Sequence, residues 1–161
     1  MSPNADHLSA RESHFDGERW VGYRTYVKLV RTGRERAPYH IKSPADVYRA
    51  FEQLSACDRE RFFALHLDAR SCVCGVELVS QGSLNSTIIS PREVYKSALL
   101  ANAAGVIVLH NHPSGDPTPS ADDRAVTRHL IEAGRLLDIP LYDHVVIGDG
   151  RYVSFAEAGL L

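Results

Sequence analysis

The sequence predicts an α/β fold, a three-layer-like sandwich of helices around a mixed sheet. Short β-branched runs alternate with longer segments of helical period, in the order β-α-β-β-α-β-α-β. Three helix starts are spelled out by cap residues. A chain of 161 residues with 44% hydrophobic and 24% charged content has enough apolar material for one catalytic-sized domain and too little length for two.

Taken in order, residues 1–18 lack apolar periodicity and are expected to form a mobile tail. Residues 19–40 form a basic segment whose stretch Arg24-Thr25-Tyr26-Val27-Lys28-Leu29-Val30-Arg31 has strand composition. The expected domain then runs from 41 to 161. Ser43-Pro44-Ala45-Asp46 opens a helix to about Leu54, with proline at N1 and an acid at N3. Strands are expected near 61–68 and 73–80. Ser90-Pro91-Arg92-Glu93 opens a second helix, to about Ala103, with the same cap chemistry.

The run Gly105-Val106-Ile107-Val108-Leu109 reads as a buried strand over 105–110. Pro113, Gly115, Pro117 and Pro119 then forbid regular structure until Ser120, an N-cap. Ala125, Val126, Leu130, Ala133 and Leu137 recur at helical spacing, and Asp138 with Pro140 ends that third helix. A strand near 142–147 and a short element at 152–155 complete the order.

Charge is uneven along the chain. Between Arg19 and Lys42 seven basic residues face one acid, Glu35, so this segment carries +6 while the whole carries -2 and the remainder -8. Trp20, Tyr23, Tyr26 and Tyr39 are interleaved with those charges, a composition compatible with weak nucleic-acid contact through residues 19–42. An edge strand protected by basic side chains explains the same composition and is favoured for so short a stretch. Cys57, Cys72 and Cys74 make an odd count with no disulfide pattern, the expectation for a reducing cytoplasm. No apolar run reaches membrane-spanning length, and no signal-peptide core is seen at the amino terminus.

The chemistry concentrates in His110-Asn111-His112. Residues two apart on a strand share a face, so both imidazoles, delivered at a strand's carboxyl end, can converge on one metal. Zinc with an open fourth position then needs one more protein ligand. Asp123, at N3 of the helix that returns to the strand end, is the best placed acid; Asp116 in the loop and Asp122 at the helix start are rivals. Ser120-x-x-Asp123 is also a capping box that needs no metal, but a cap leaves the two histidines unexplained.

His-x-His, seven residues, Ser, two residues, Asp resembles the signature of the JAMM (MPN-type) zinc metalloproteases. Ser90-Pro91-Arg92-Glu93, His110-Asn111-His112-Pro113-Ser114-Gly115-Asp116-Pro117, Pro119-Ser120 and Asp143-His144 resemble the RadC family in particular, over about residues 41 to 161. The resemblance implies an MPN domain of cytidine-deaminase-like architecture. It implies zinc held by His110, His112 and Asp123, with Ser120 stabilising the oxyanion. It also implies a glutamate that activates water. Glu60, where a helix gives way to a strand, is better placed for that role than Glu77 within the next strand; either is otherwise a solvated charge.

The function so implied is a zinc-dependent metallopeptidase or isopeptidase acting on a peptide or protein substrate. A DNA-repair-associated accessory or DNA-binding role with a retained metal site is the alternative. It is weakened because no helix-hairpin-helix module fits in the forty residues before Ser43. A nucleobase deaminase is disfavoured because its His-x-Glu and Pro-Cys-x-x-Cys pattern is missing. His144 is either a partner of the site or a structural imidazole; His66, between Leu65 and Leu67, is expected to face solvent. Asn111 is expected to hold the proline-rich loop.

Overall fold

The structure, a computed structural model, describes residues 39–82 and 89–161. The expected tail at 1–18 and strand at 24–31 lie outside the described residues.

Within them the predicted order holds. Helix α1 spans Pro44–Phe51 and continues as a 3₁₀ turn over Glu52–Ala56, so the helix expected to reach Leu54 changes type before it ends. Strands β1 (Arg61–Leu67) and β2 (Val73–Gln81) follow, then α2 (Pro91–Leu100) and β3 (Gly105–Asn111). Helix α3 (Ala121–Leu137), β4 (Leu141–Ile147) and β5 (Tyr152–Ser154) complete the chain. The sheet order is β2-β1-β3-β4-β5, with β3 and β4 parallel and the other pairs antiparallel. This is the mixed α/β sheet the sequence predicts.

Period-two alternation sorts each strand between two cores. Phe62, Ala64, Val106 and Val108 pack with Val94 and Ala98 of α2 and Leu130 of α3. Leu65, Leu67, Ile107, Leu109, Val145 and Ile147 point the other way, onto Val47 of α1 and Leu54 of the 3₁₀ turn. Strand β3 lies at the centre and all seven of its residues are buried, which is why its sequence reads as a continuous apolar run.

His66 does not face solvent as expected. It is 3% exposed, its Nε2 lies 3.0 Å from Ser97 Oγ, and a Cβ at Gly75 opposite it would fall 2.6 Å from its Nδ1. The missing side chain at Gly75 makes the space. Burial pushes the His66 pKa down, against a smaller opposing effect of Glu77. All three cysteines are free: Cys72 is buried, Cys57 half-buried and Cys74 exposed. Among the described residues no helix is long and apolar enough to cross a membrane.

Candidate metal centre

His110 and His112 arrive at the carboxyl end of β3 from opposite constraints. His110 is the sixth residue of the strand, fully buried, on the α2/α3 face beside Phe62 of β1. His112 stands just past the strand, where its N–H donates to the carbonyl of Ile147 at 2.9 Å. The Nε2 atoms of the two rings lie 3.0 Å apart.

Asp123 closes the group. Its Oδ1 is 3.1 Å from His110 Nε2 and its Oδ2 is 3.4 Å from His112 Nε2. The three donors sit within 4.8 Å of one another, the one such cluster among the described residues. Two nitrogens at 2.0–2.1 Å from a tetrahedral zinc would be about 3.3 Å apart, so the spacing found here is that of donors facing a common ion. The residues fit a metal.

The capping box and the metal cluster are one device. Ser120 gives both its N–H and its hydroxyl to Asp123 Oδ2, at 2.7 Å each, and its Oγ accepts the Asp123 N–H at 3.0 Å. The cap therefore fixes the carboxylate so that Oδ1 is turned to His110. Burial alone would raise the Asp123 pKa, but the His110 and His112 rings beside it outweigh that effect and hold the carboxyl well below the usual range. The rival acids go elsewhere: Asp122 is exposed, and the Asp116 carboxylate takes the N–H and hydroxyl of Thr118.

Asp116 contributes through its backbone instead. Its carbonyl accepts His112 Nδ1–H at 2.7 Å, which turns the other ring nitrogen to the cluster. The hydrogen bond to Asp123 raises the His112 pKa against the effect of burial, helped by the Asp116 carbonyl and the charges of Asp123 and Glu60. The loop itself is pinned by Asp149 N–H to the Gly115 carbonyl, 2.9 Å.

The two glutamates are separated by register. Glu60 precedes β1 by one residue, and Phe62 pairs with His110, so Glu60 is brought to the same end of the sheet as His112. Glu77 pairs with Ala64, farther down the sheet on its outer strand, where its charge acts on His66 and Lys96. Asn111 does not hold the proline-rich loop. Its side chain points to the other face and grips the backbone around Glu60, accepting Arg61 N–H at 2.9 Å and donating to the Arg59 carbonyl at 3.1 Å.

Behind the cluster, His144 of β4 is fully buried between the rings of Phe62 and Phe155, with its Nε2 2.9 Å from His110 Nδ1. Thr127 Oγ lies 2.7 Å from His144 Nδ1 and donates to the Asp123 carbonyl at 2.6 Å. Sequence reasoning raised His144 but missed Thr127. Its position four residues after Asp123, hence on the same helix face, was the available signal.

Comparison with known proteins agrees with this geometry. Residues 41–160 match the RadC-like JAB domain family. A UPF0758 protein of Methanosarcina mazei is 49% identical over 136 residues, 84% of this chain and 59% of its own. Those of Roseiflexus castenholzii (48% over 133 residues, 82% and 56%) and Desulfitobacterium hafniense (47% over 122 residues, 75% and 54%) are similar. The chain thus spans a little over half the length of the curated relatives it matches. With most of its residues matched and the fold and His-His-Asp cluster in place, the chain belongs to the RadC-like JAB domain family.

Proposed function

We propose that the chain is a zinc-dependent metallopeptidase or isopeptidase that hydrolyses an amide bond with water. The observation that carries this reading is the convergence of His110 Nε2, His112 Nε2 and the Asp123 carboxylate within 4.8 Å. Two imidazoles and one carboxylate form a donor set typical of catalytic zinc, where a position is left to solvent. When bound there, zinc supplies Lewis acidity that polarises a carbonyl and makes water a better nucleophile.

The remaining chemistry falls to the chain's own residues. Glu60 takes a proton from the attacking water and returns it to the leaving nitrogen as the C–N bond breaks. Its charge already acts on His112, which supports it over Glu77. Ser120, whose hydroxyl reaches Asp123 Oδ2, turns that hydroxyl toward the substrate oxygen as negative charge develops there. Asp123 stays ionised throughout, and the buried wall of Phe62 and Phe155 keeps water away from the back of the site.

Metal analysis and a quenched-peptide assay test this together. About one zinc per chain is expected in the wild type, lost in the His110→Ala/His112→Ala double variant, with hydrolysis abolished in Glu60→Gln while zinc is retained. Unaltered zinc content in the double variant rejects the ligand assignment. Salt-sensitive DNA binding without hydrolysis in the wild type would instead favour an accessory role.

A further inference from the structure

We infer that Thr127 and His144 act as positioning residues, forming a hydrogen-bond relay that locks His110 in its Nδ1–H tautomer and leaves the Nε2 lone pair free for the metal. The inference rests on the metal centre proposed above and extends it to residues that would touch neither the metal nor the substrate.

The direction of each hydrogen bond follows from its neighbour. Thr127 Oγ and the Asp123 carbonyl oxygen are 2.6 Å apart. Two oxygens that close must share a proton, and a carbonyl can only accept, so the threonine proton lies between them. That hydroxyl has no second proton. The 2.7 Å contact to His144 Nδ1 therefore requires the imidazole to donate.

His144 is fully buried, stacked on Phe155 at 4.7 Å and edge-on to Phe62 at 5.5 Å. A charged ring in that apolar box would be costly, so the ring is neutral. A neutral ring with its proton on Nδ1 has a bare Nε2. Across 2.9 Å that nitrogen can only accept, so His110 Nδ1 carries the proton and His110 Nε2 does not.

The relay starts at the backbone of one ligand, Asp123, and ends at the ring of another, His110. It ties α3 through β4 to β3 and sets the lone pair before any ion arrives. The Asp116 carbonyl independently fixes the Nδ1–H of His112. A single side chain on a helix thus dictates the tautomer of a strand histidine two hydrogen bonds away.

The test is nitrogen NMR on the metal-free, histidine-labelled protein, paired with zinc affinity from chelator competition. In the wild type His110 should be protonated at Nδ1 and bare at Nε2. His144→Leu, which removes the acceptor, should populate the other tautomer and weaken zinc about 10- to 100-fold. His144→Gln, whose amide can accept from His110 and donate to Thr127, should restore most of the affinity. Thr127→Val should shift the tautomers and Thr127→Ser should not; this pair keeps the test decisive if His144→Leu does not fold. An Nε2–H tautomer in the wild type, or unchanged tautomer populations in Thr127→Val, overturns the relay. A wild type with the inferred tautomer that binds no zinc leaves the relay standing and removes the zinc centre instead.

Discussion

Asn111 and Arg61, fifty positions apart in sequence, are joined by a 2.9 Å hydrogen bond from the Arg61 N–H to the Asn111 Oδ1. The same side chain donates to the Arg59 carbonyl, so Glu60 is held from both sides. The middle residue of His-Asn-His therefore serves the glutamate while its neighbours face the metal cluster. Asn111→Ala should leave two backbone groups without these partners and cost about 1–3 kcal/mol in chemical denaturation. Zinc content should be retained, and kcat for amide hydrolysis should fall because Glu60 loses its register. A variant as active as the wild type would show that Glu60 needs no such clamp.

The capping role of Asp123 and its proposed role as a metal ligand separate by substitution. Asp123→Asn keeps an oxygen for the Ser120 N–H but lacks the negative charge, so the helix should survive while zinc is lost. Ser120→Ala removes the hydroxyl from the cap and should cost about 1 kcal/mol of stability with zinc partly retained. Circular dichroism melts beside metal analysis read both. Equal loss of stability in the two variants, with zinc kept in Asp123→Asn, contradicts the assignment.

Gly148 explains how the loop after His112 stays down. A Cβ there would meet the Gly115 carbonyl oxygen at 2.4 Å and Pro117 Cδ at 2.6 Å, both parts of the loop backbone or its proline ring. Gly148→Ala must push that loop outward, at a cost of about 1–3 kcal/mol. The Asp116 carbonyl would move with it and release His112 Nδ1–H. Weaker zinc binding together with a lower melting temperature is expected; a neutral substitution would mean the loop yields freely.

The His110, His112 and Asp123 cluster was legible because its signals are local. A strand-final His-x-His, a proline-rich break and a Ser-x-x-Asp cap each occupy a few consecutive residues, and the element order follows from the period of apolar positions. What escaped depends on pairs distant in sequence. Asn111 reaches Arg59 and Arg61 only because β1 and β3 are neighbours in this register. His66 is buried because Gly75, across β1 and β2, has no side chain. His144, which the sequence left open between a site partner and a structural imidazole, meets His110 through parallel pairing of β3 with β4. Alternation along a strand cannot reveal which neighbour leaves room.

Metal affinity should rise with pH for a reason visible at His112. Its hydrogen bond to Asp123 raises its pKa in the metal-free protein above the ordinary value near 6.5. A histidine raised on folding contributes stability that is fully present below its unfolded pKa and is lost as pH climbs through the folded value. The metal-free chain should therefore lose this contribution as pH rises from about 6.5 through that raised value. Zinc requires the neutral ring, so in the same window it must displace a proton, while Asp123, held low, is already ionised. Chelator competition from about pH 5.5 to about pH 8.5 should show affinity rising and then levelling above the His112 pKa. Calorimetry in buffers of different ionisation enthalpy should detect proton release on the rising limb and little beyond it. Affinity that does not change with pH, with no proton released, would mean that His112 binds no metal or carries no proton in its absence.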